Sequence, residues 1–522
     1  MSRSAHIFFW LGAVLFGTAY SLSANMLRFD EVKLRLGELL SAFALALAVL
    51  YGLYCLAALL GKRTGGMSSR RSILGKQAWI KAFAVLVLVY GLFFLAYFPG
   101  PATNDSLMIY RNGFMMANVA PMVYCVFIAV FAKIGQLFGS ATLGTALCNL
   151  TQMLIVCGVS AWIVCWIDKK TLPLWAKLAV FLYYLVNPLL IIYSFCMIKD
   201  TLFSVGIAAL FLLGYDALFD RDNVRLGQWA LVAAVALFIT AFRNGVIKLA
   251  IVYVFFLLFV MRGKKGVIKP ALLLLAGILC VSAASKALEK WQNVEYYSKE
   301  MLAIPIQQLS AAVACDGNLT EEQKEVIGGM MALEDIRNKY VCHNVDAIKW
   351  DMGFDNDYVN DNMPNILKVW IEAFPENKEI YLKAYLWETF WYWAPVQQGT
   401  VKIFKTVVDL DPAWHAETGL VDAPKLPEQI VAPLRGYAEL SEHFLREGLL
   451  FWLMLLFMLE LYALSGKAKS FLVYVICLLP WAVLMASAPV NQSVRYVMCF
   501  VYALPAAFAM LFDKKICITE KE

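Results

Sequence analysis

Apolar runs of membrane-crossing length recur along this chain, and they leave it few ways to fold. A helix needs roughly 20 apolar residues to cross the hydrocarbon core of a bilayer, and every backbone polar group must be satisfied within the span. Windows of that size pick out twelve segments: 7–26, 39–60, 80–98, 141–167, 173–195, 201–219, 228–242, 246–261, 270–285, 447–465, 470–488 and 494–512. The runs bring the chain to 61% hydrophobic and only 16% charged residues, against about 45–50% and about 25% in an ordinary soluble domain. A secreted soluble, disordered or nucleic-acid-binding protein is thereby excluded. The expected fold is an all-α polytopic membrane protein with about 12 transmembrane helices. The first run lacks a small-residue cleavage site after a short core, so it reads as a retained helix and not a signal peptide.

A thirteenth apolar run, 120–138, is ambiguous, and charge favours a re-entrant or juxtamembrane helix over a span. Basic residues concentrate on the cytoplasmic side of membrane proteins. Lys62, Arg63, Arg70, Arg71 and Lys76 form one basic cluster. Arg262, Lys264, Lys265 and Lys269 form a second, Lys467 and Lys469 a third, Lys514 and Lys515 a fourth. If 120–138 is a re-entrant or juxtamembrane helix, these clusters share one side with Lys169, Lys170 and Lys177. Both termini are then cytoplasmic, in a cell membrane. The exception is the 27–38 loop, where Arg28, Lys33 and Arg35 fall outside beside Asp30, Glu31 and Glu38.

The same topology makes the one large hydrophilic segment, 286–446, an extracytoplasmic domain. It divides the chain into an N-terminal membrane region 1–285, with a first outer loop at 99–140, this domain, and a C-terminal membrane region 447–522. The segment holds 25 of the 39 acids and 15 of the 45 Lys and Arg residues. The net charge of +6 therefore combines a basic inner face with an acidic outer domain. Ten of the twelve cysteines lie in or beside spans, where Cys behaves as a small hydrophobe. Cys315 and Cys342 lie in the domain, as a disulfide or as two free thiols. His6, His343, His415 and His443 show no metal-ligand spacing. Within the domain, 320–340 reads as one helix, with Glu321 and Glu322 early and Arg337 and Lys339 late, the charge order a helix dipole favours. The stretch 351–362 lacks the glycine and terminal Glu of a calcium loop and reads as an acidic loop capping a helix from about Pro364. The aromatic run 379–395 reads mainly as an interfacial helix; Tyr385, Trp387, Trp391, Tyr392 and Trp393 are also residues on which sugars stack.

Ionisable groups beside apolar helix ends are costly and mark functional candidates. Four places stand out: Asn104-Asp105-Ser106, Lys199-Asp200, Arg243-Asn244-Gly245, and Asn491 to Tyr496 with Arg495. Counting spans puts all four at one membrane depth, on the side of the 286–446 domain. Each has a structural explanation as a helix cap, ion pair or lipid anchor. Together they place an acid among several bases on one face.

At these residues the chain resembles the GT-C superfamily of integral-membrane glycosyltransferases. The resemblance lies in an early span ending Tyr97-Phe98-Pro99-Gly100, an acidic loop with Asp105-Ser106, and an interfacial run opening Ala120-Pro121 and ending Leu137-Phe138-Gly139. Met197 to Asp200, Phe242 to Gly245 and Ser493 to Tyr496 also resemble an uncharacterised bacterial family of polytopic proteins. The GT-C resemblance implies transfer of a sugar from a polyprenyl-phosphate carrier to a cell-envelope glycan, lipid or protein acceptor at the outer face. Asp105 then stands where the superfamily has its first-loop acid, acting as general base. The superfamily often has a second acid there; Asn104 and Ser106 occupy the flanks here, which leaves a divalent cation as a possible requirement.

The chemistry stands apart from the family. A carboxylate accepts the proton of an attacking hydroxyl, and cations stabilise the charge growing on a departing phosphate. Lys199, Arg243 and Arg495 are the phosphate-binding candidates. Asn104, Asp200, Asn244, Asn491 and Tyr496 are candidates to hold sugar hydroxyls or to support the site. Membrane lipids are the expected surroundings, and no nucleic acid is an expected partner. A lipid-carrier flippase or transporter, and a glycan polymerase or ligase, are the competing expectations.

Overall fold

The computed structural model describes residues 1–67, 72–112, 120–170, 172–219, 268–294, 298–399, 419–443, 445–487 and 492–513, with parts of 231–243. All regular structure among them is helical; one isolated bridge joins Ala102 to Met197. Among the described residues, eight helices are long and apolar enough to cross a membrane: α1 (Arg3–Phe29), α2 (Leu36–Leu60 of Leu36–Met67), α3 (Ala78–Ala96), α6 (Ala141–Asp168), α9 (Lys199–Phe219), α10 (Ala271–Trp291 of Ile268–Trp291), α17 (Glu447–Ser465) and α18 (Lys469–Ser487). A bent pair, α7 (Leu174–Val186) and α8 (Pro188–Ser194), brings the total to nine if it is one span. Pro188 lacks the N–H that would continue α7, and Asn187 caps the new helix by accepting from the Leu189 and Leu190 N–H groups.

The remaining membrane-region helices are shorter. α4 (Asn104–Asn112) carries the first acid, and α5 (Met122–Leu137) is the thirteenth apolar run, with 16 residues. A 3-10 turn (Val494–Val497) leads into α19 (Met498–Met510). The expected span 228–242 is described in part, and 246–261 lies outside the described residues. A helix that is apolar all round belongs inside a bundle, and α9 is such a helix. It is buried almost throughout, against α6, α18 and α19.

The hydrophilic domain has its own core, built on α11 (Ala303–Ala314), α12 (Glu321–Met330), α13 (Leu333–Lys339), α14 (Asn356–Ala373) and α15 (Lys378–Glu388). Two expectations are corrected here. The 320–340 segment is not one helix: Thr320 and Gln323 form a capping box that starts α12, and the chain turns extended at Met331 before α13. Nor does the next helix begin near Pro364. Asp355 caps it at Asn356 by accepting from the Tyr358 N–H, and Pro364 lies inside α14. Cys315 and Cys342 are free thiols.

The aromatic run forms α15 and a following turn, Phe390–Trp393, that docks on the membrane helices, and α16 (Glu428–Glu439) precedes α17. Tyr385 donates to the Met485 carbonyl, Trp481 to that of Tyr392, and Trp452 to that of Trp393. Lys383 and Trp387 both reach Asp30, at the end of α1, at 2.6 and 2.9 Å. Two of the three basic residues of the 27–38 loop are paired with acids, and the third packs on a ring. Arg28 pairs with Glu38 at 2.9 Å, Lys33 with Glu31 at 3.1 Å, and Arg35 stacks over Phe29.

Candidate functional site

The loop after α3 is shaped by contacts that only its own sequence permits. Gly100 has φ +100°, and a Cβ there would meet Asn149 Nδ2 at 2.5 Å and the Phe195 carbonyl oxygen at 2.6 Å. Glycine alone fits. Asn149 donates to the Pro99 carbonyl, and the Met197 N–H to that of Pro101. Ser106 Oγ donates to the Met197 carbonyl at 2.6 Å. On the other side of this seam, Gln152 Nε2 lies within hydrogen-bond distance of the Tyr193, Ser194 and Cys196 carbonyls. The start of α4 and the start of α9 are therefore held side by side, which brings Asp105 to Lys199.

Four sequence-distant segments meet at this point. Asp105 Oδ2 lies 3.9 Å from Lys199 Nζ and 3.7 Å from an Arg495 terminal nitrogen. Both separations are ion pairs and too long for hydrogen bonds. Arg495 donates to Tyr496 Oη at 2.8 Å, while its Nε has no hydrogen-bond partner among the described residues. Arg243 pairs with Asp200 Oδ1 at 2.9 Å and lies over the Phe203 ring. The other Asp200 oxygen is buried without a hydrogen bond among the described residues. Burial by itself raises the Asp105 carboxyl, but Lys199 and Arg495 outweigh it and hold the group below its ordinary range. It is a carboxylate at neutral pH.

The placement of the cations carries information. Lys199 opens α9, where the helix dipole disfavours a cation, and the Asp105 carboxylate offsets its charge. Three cations face two carboxylates, and Asp105 remains 35% exposed in its side chain. Such an arrangement is suited to an anionic ligand that also presents a hydroxyl.

Asp105, Lys199, Asp200, Arg243, Arg495 and Tyr496 are brought together. The Asn104 side chain, Asn244 and Asn491 lie outside the described residues. No group of three His, Cys, Asp or Glu side chains suited to a metal occurs among the described residues. Glu447 escaped the sequence reading: it is fully buried at the start of α17, and neither oxygen has a hydrogen bond among the described residues. It lies within electrostatic reach of Tyr193 and Tyr392, which also feel Arg495. The available signal was an acid in the first turn of an apolar helix, at the same bundle end as the other four segments.

A family model described as a family of unknown function (DUF6020) matches residues 108–520. The chain belongs to that family. The DUF6020 match includes Lys199, Asp200, Arg243, Arg495 and Tyr496, and it begins three residues after Asp105. No curated protein and no solved structure matches the chain.

Proposed function

We propose that this DUF6020 protein is a GT-C-like glycosyltransferase that moves a sugar from a polyprenyl-phosphate carrier to an acceptor at the outer membrane face. The observation that carries the reading is the Asp105 carboxylate between Lys199 and Arg495, with Asp200 and Arg243 beside them. In this reading the acceptor oxygen attacks the anomeric carbon as its proton passes to Asp105. The bond from that carbon to the phosphate oxygen breaks, and the phosphate leaves with the bonding electrons. Arginine offers the departing phosphate two parallel hydrogen bonds and Lys199 a point charge. Attack opposite the leaving group inverts the anomeric centre.

The accompanying topology has twelve spans, both termini cytoplasmic and the 286–446 domain outside. It is supported by the pairing of the loop charges at 28–38 and by the contact of Asp30 with Lys383 and Trp387.

The test is transfer of labelled sugar from polyprenyl-monophosphate and polyprenyl-diphosphate donors by the full chain in nanodiscs. Transfer by the wild type and its loss in Asp105→Asn, with insertion intact, supports the reading. Full activity in Asp105→Asn sinks it, and exclusive use of oligosaccharide diphosphate donors moves it to a polymerase or ligase. One observation favours a carrier-lipid flippase instead: Glu460, an acid inside α17, is fully buried with neither oxygen hydrogen-bonded among the described residues. Lipid translocation in vesicles without sugar transfer would establish that alternative.

A further inference from the structure

Helix α15 is the mechanical joint between the hydrophilic domain and the membrane helices, and its last residue is an acid. On the domain side, Gln308 donates to the Tyr381 carbonyl and Tyr381 lies in the domain core. On the membrane side are the Met485 and Asp30 contacts of Tyr385, Lys383 and Trp387. Glu388 is 2% exposed. One of its oxygens accepts a long bond, 3.4 Å, from the Val345 N–H; the other has no hydrogen bond among the described residues. A buried carboxylate with such sparse support costs several kcal/mol in charged form, so the proton is retained.

The surroundings do little to compensate a charge. Lys349 is the nearby cation, already paired with Glu300 at 3.1 Å and Asp346 at 3.2 Å. Asp346 opposes ionisation, Tyr340 and Cys342 lie close by, and Asp30 and Lys383 face Cys342. His343 adjoins Cys342 at 3.7 Å. Helix α11, packed along α15, has no charged residue. Burial, reinforced by Asp346, pushes the Glu388 carboxyl up to about 8, against the weaker pull of the Val345 N–H and Lys349.

We propose that Glu388 is an alkaline-release latch, closing α15 onto the 340–346 loop as a neutral acid and loosening that joint as a carboxylate. The latch is independent of the transferase reading. It does have a route to the candidate site: four residues on from Glu388, Tyr392 packs edge-on against Tyr496 at 6.3 Å, and Tyr496 accepts from Arg495. The sign follows from linkage. The folded state keeps the proton to higher pH than the unfolded state, so stability at the joint falls as pH rises from the ordinary glutamate range to about 8.

Three tryptophans, Trp387, Trp391 and Trp393, lie within five residues of Glu388 and report on the joint. The full chain in nanodiscs is titrated from about pH 6 to about pH 9.5, reading tryptophan emission and limited proteolysis between 340 and 395. The expected result is a reversible transition with a midpoint near 8, absent in Glu388→Gln. Asp346→Asn removes an opposing charge and frees Lys349, so its midpoint moves down by about one pH unit. A wild type without a transition, or a transition unchanged in Glu388→Gln, overturns the latch. If Glu388→Gln does not accumulate, an unshifted Asp346→Asn midpoint overturns it equally. None of these readouts depends on sugar transfer.

Discussion

The two ends of the helix bundle hold the same kinds of charge with different degrees of hydrogen bonding, although Arg243 and Asp200 pair directly at 2.9 Å at the more open end. At the end reached by the C-terminus of α9, pairs are closed. Asp168 accepts from Ser72 and from the Ile73 N–H at 2.9 Å, so its carboxylate is saturated, and the buried Lys177 stands 3.7 Å from it while donating to the Asp168 main-chain carbonyl. Asp216 is gripped by Lys170 and by Trp166 Nε1 at 2.6 Å, and Asp513 accepts from Tyr215 at 3.0 Å. At the other end, roughly 30 Å away along the 21 residues of α9, Asp105 stands 3.7–3.9 Å from its cations. Buried atoms of Asp200, Arg495 and Glu447 there lack hydrogen bonds among the described residues. Closed pairs order helices. Open pairs leave donors and acceptors unmet, and buried polar groups left unmade are costly.

Substitutions at the two ends should therefore fail differently. The largest effect is expected from Asp105→Asn, which should lower sugar transfer by about 10²–10⁴-fold while thermal stability in detergent stays near wild type. Equal loss of folding would mean that Asp105 is another closed pair. Because Lys199 and Arg495 hold Asp105 below its ordinary range, the wild-type rate should fall with decreasing pH only below that range. An acid limb displaced above it would contradict the carboxylate assignment. At the opposite end, Asp168→Ala removes the counter-charge near a buried Lys177 and the acceptor of Ser72 and Ile73, and should cost about 3–5 kcal/mol of stability, read by thermal unfolding, with transfer per folded molecule unchanged. Arg495→Lys keeps the charge but loses the planar fork. A loss of about tenfold in kcat/KM is expected, carried by the donor KM. Smallest is Thr320→Ala, which removes the capping box of α12 far from either end. It should cost about 1 kcal/mol of domain stability and leave transfer untouched.

The contrast also explains what could be read from sequence. Lys199, Asp200, Arg243 and Arg495 are conspicuous because each interrupts strongly apolar surroundings. Their meeting followed from counting helices, a coarse operation that tolerates errors at individual boundaries. Glu447 and Glu460 were hidden by the same method, since a hydropathy window absorbs one acid without dropping out. The break at Met331 between α12 and α13 is marked by Gly328-Gly329 in the last turn of α12, a signal that the helix-like charge order of 320–340 masked. The helix starting at Asn356 was placed too late because Pro364 reads as a beginning, whereas Asp355 supplies the stronger cap.

One seam has a consequence for how the protein is made. The end of α3 is stitched to chain that follows it much later: the Ala423 N–H donates to the Phe98 carbonyl, the Lys425 N–H to that of Leu95, and Arg435 to that of Ala96, 339 positions away. Arg495, one of the two cations facing Asp105, is synthesised later still. A ribosome that has delivered the first nine helices has produced the acid but neither the clasp that sets its loop nor that counter-charge. The constellation therefore comes into being only when the last helices are inserted, and a truncated or stalled chain lacks it.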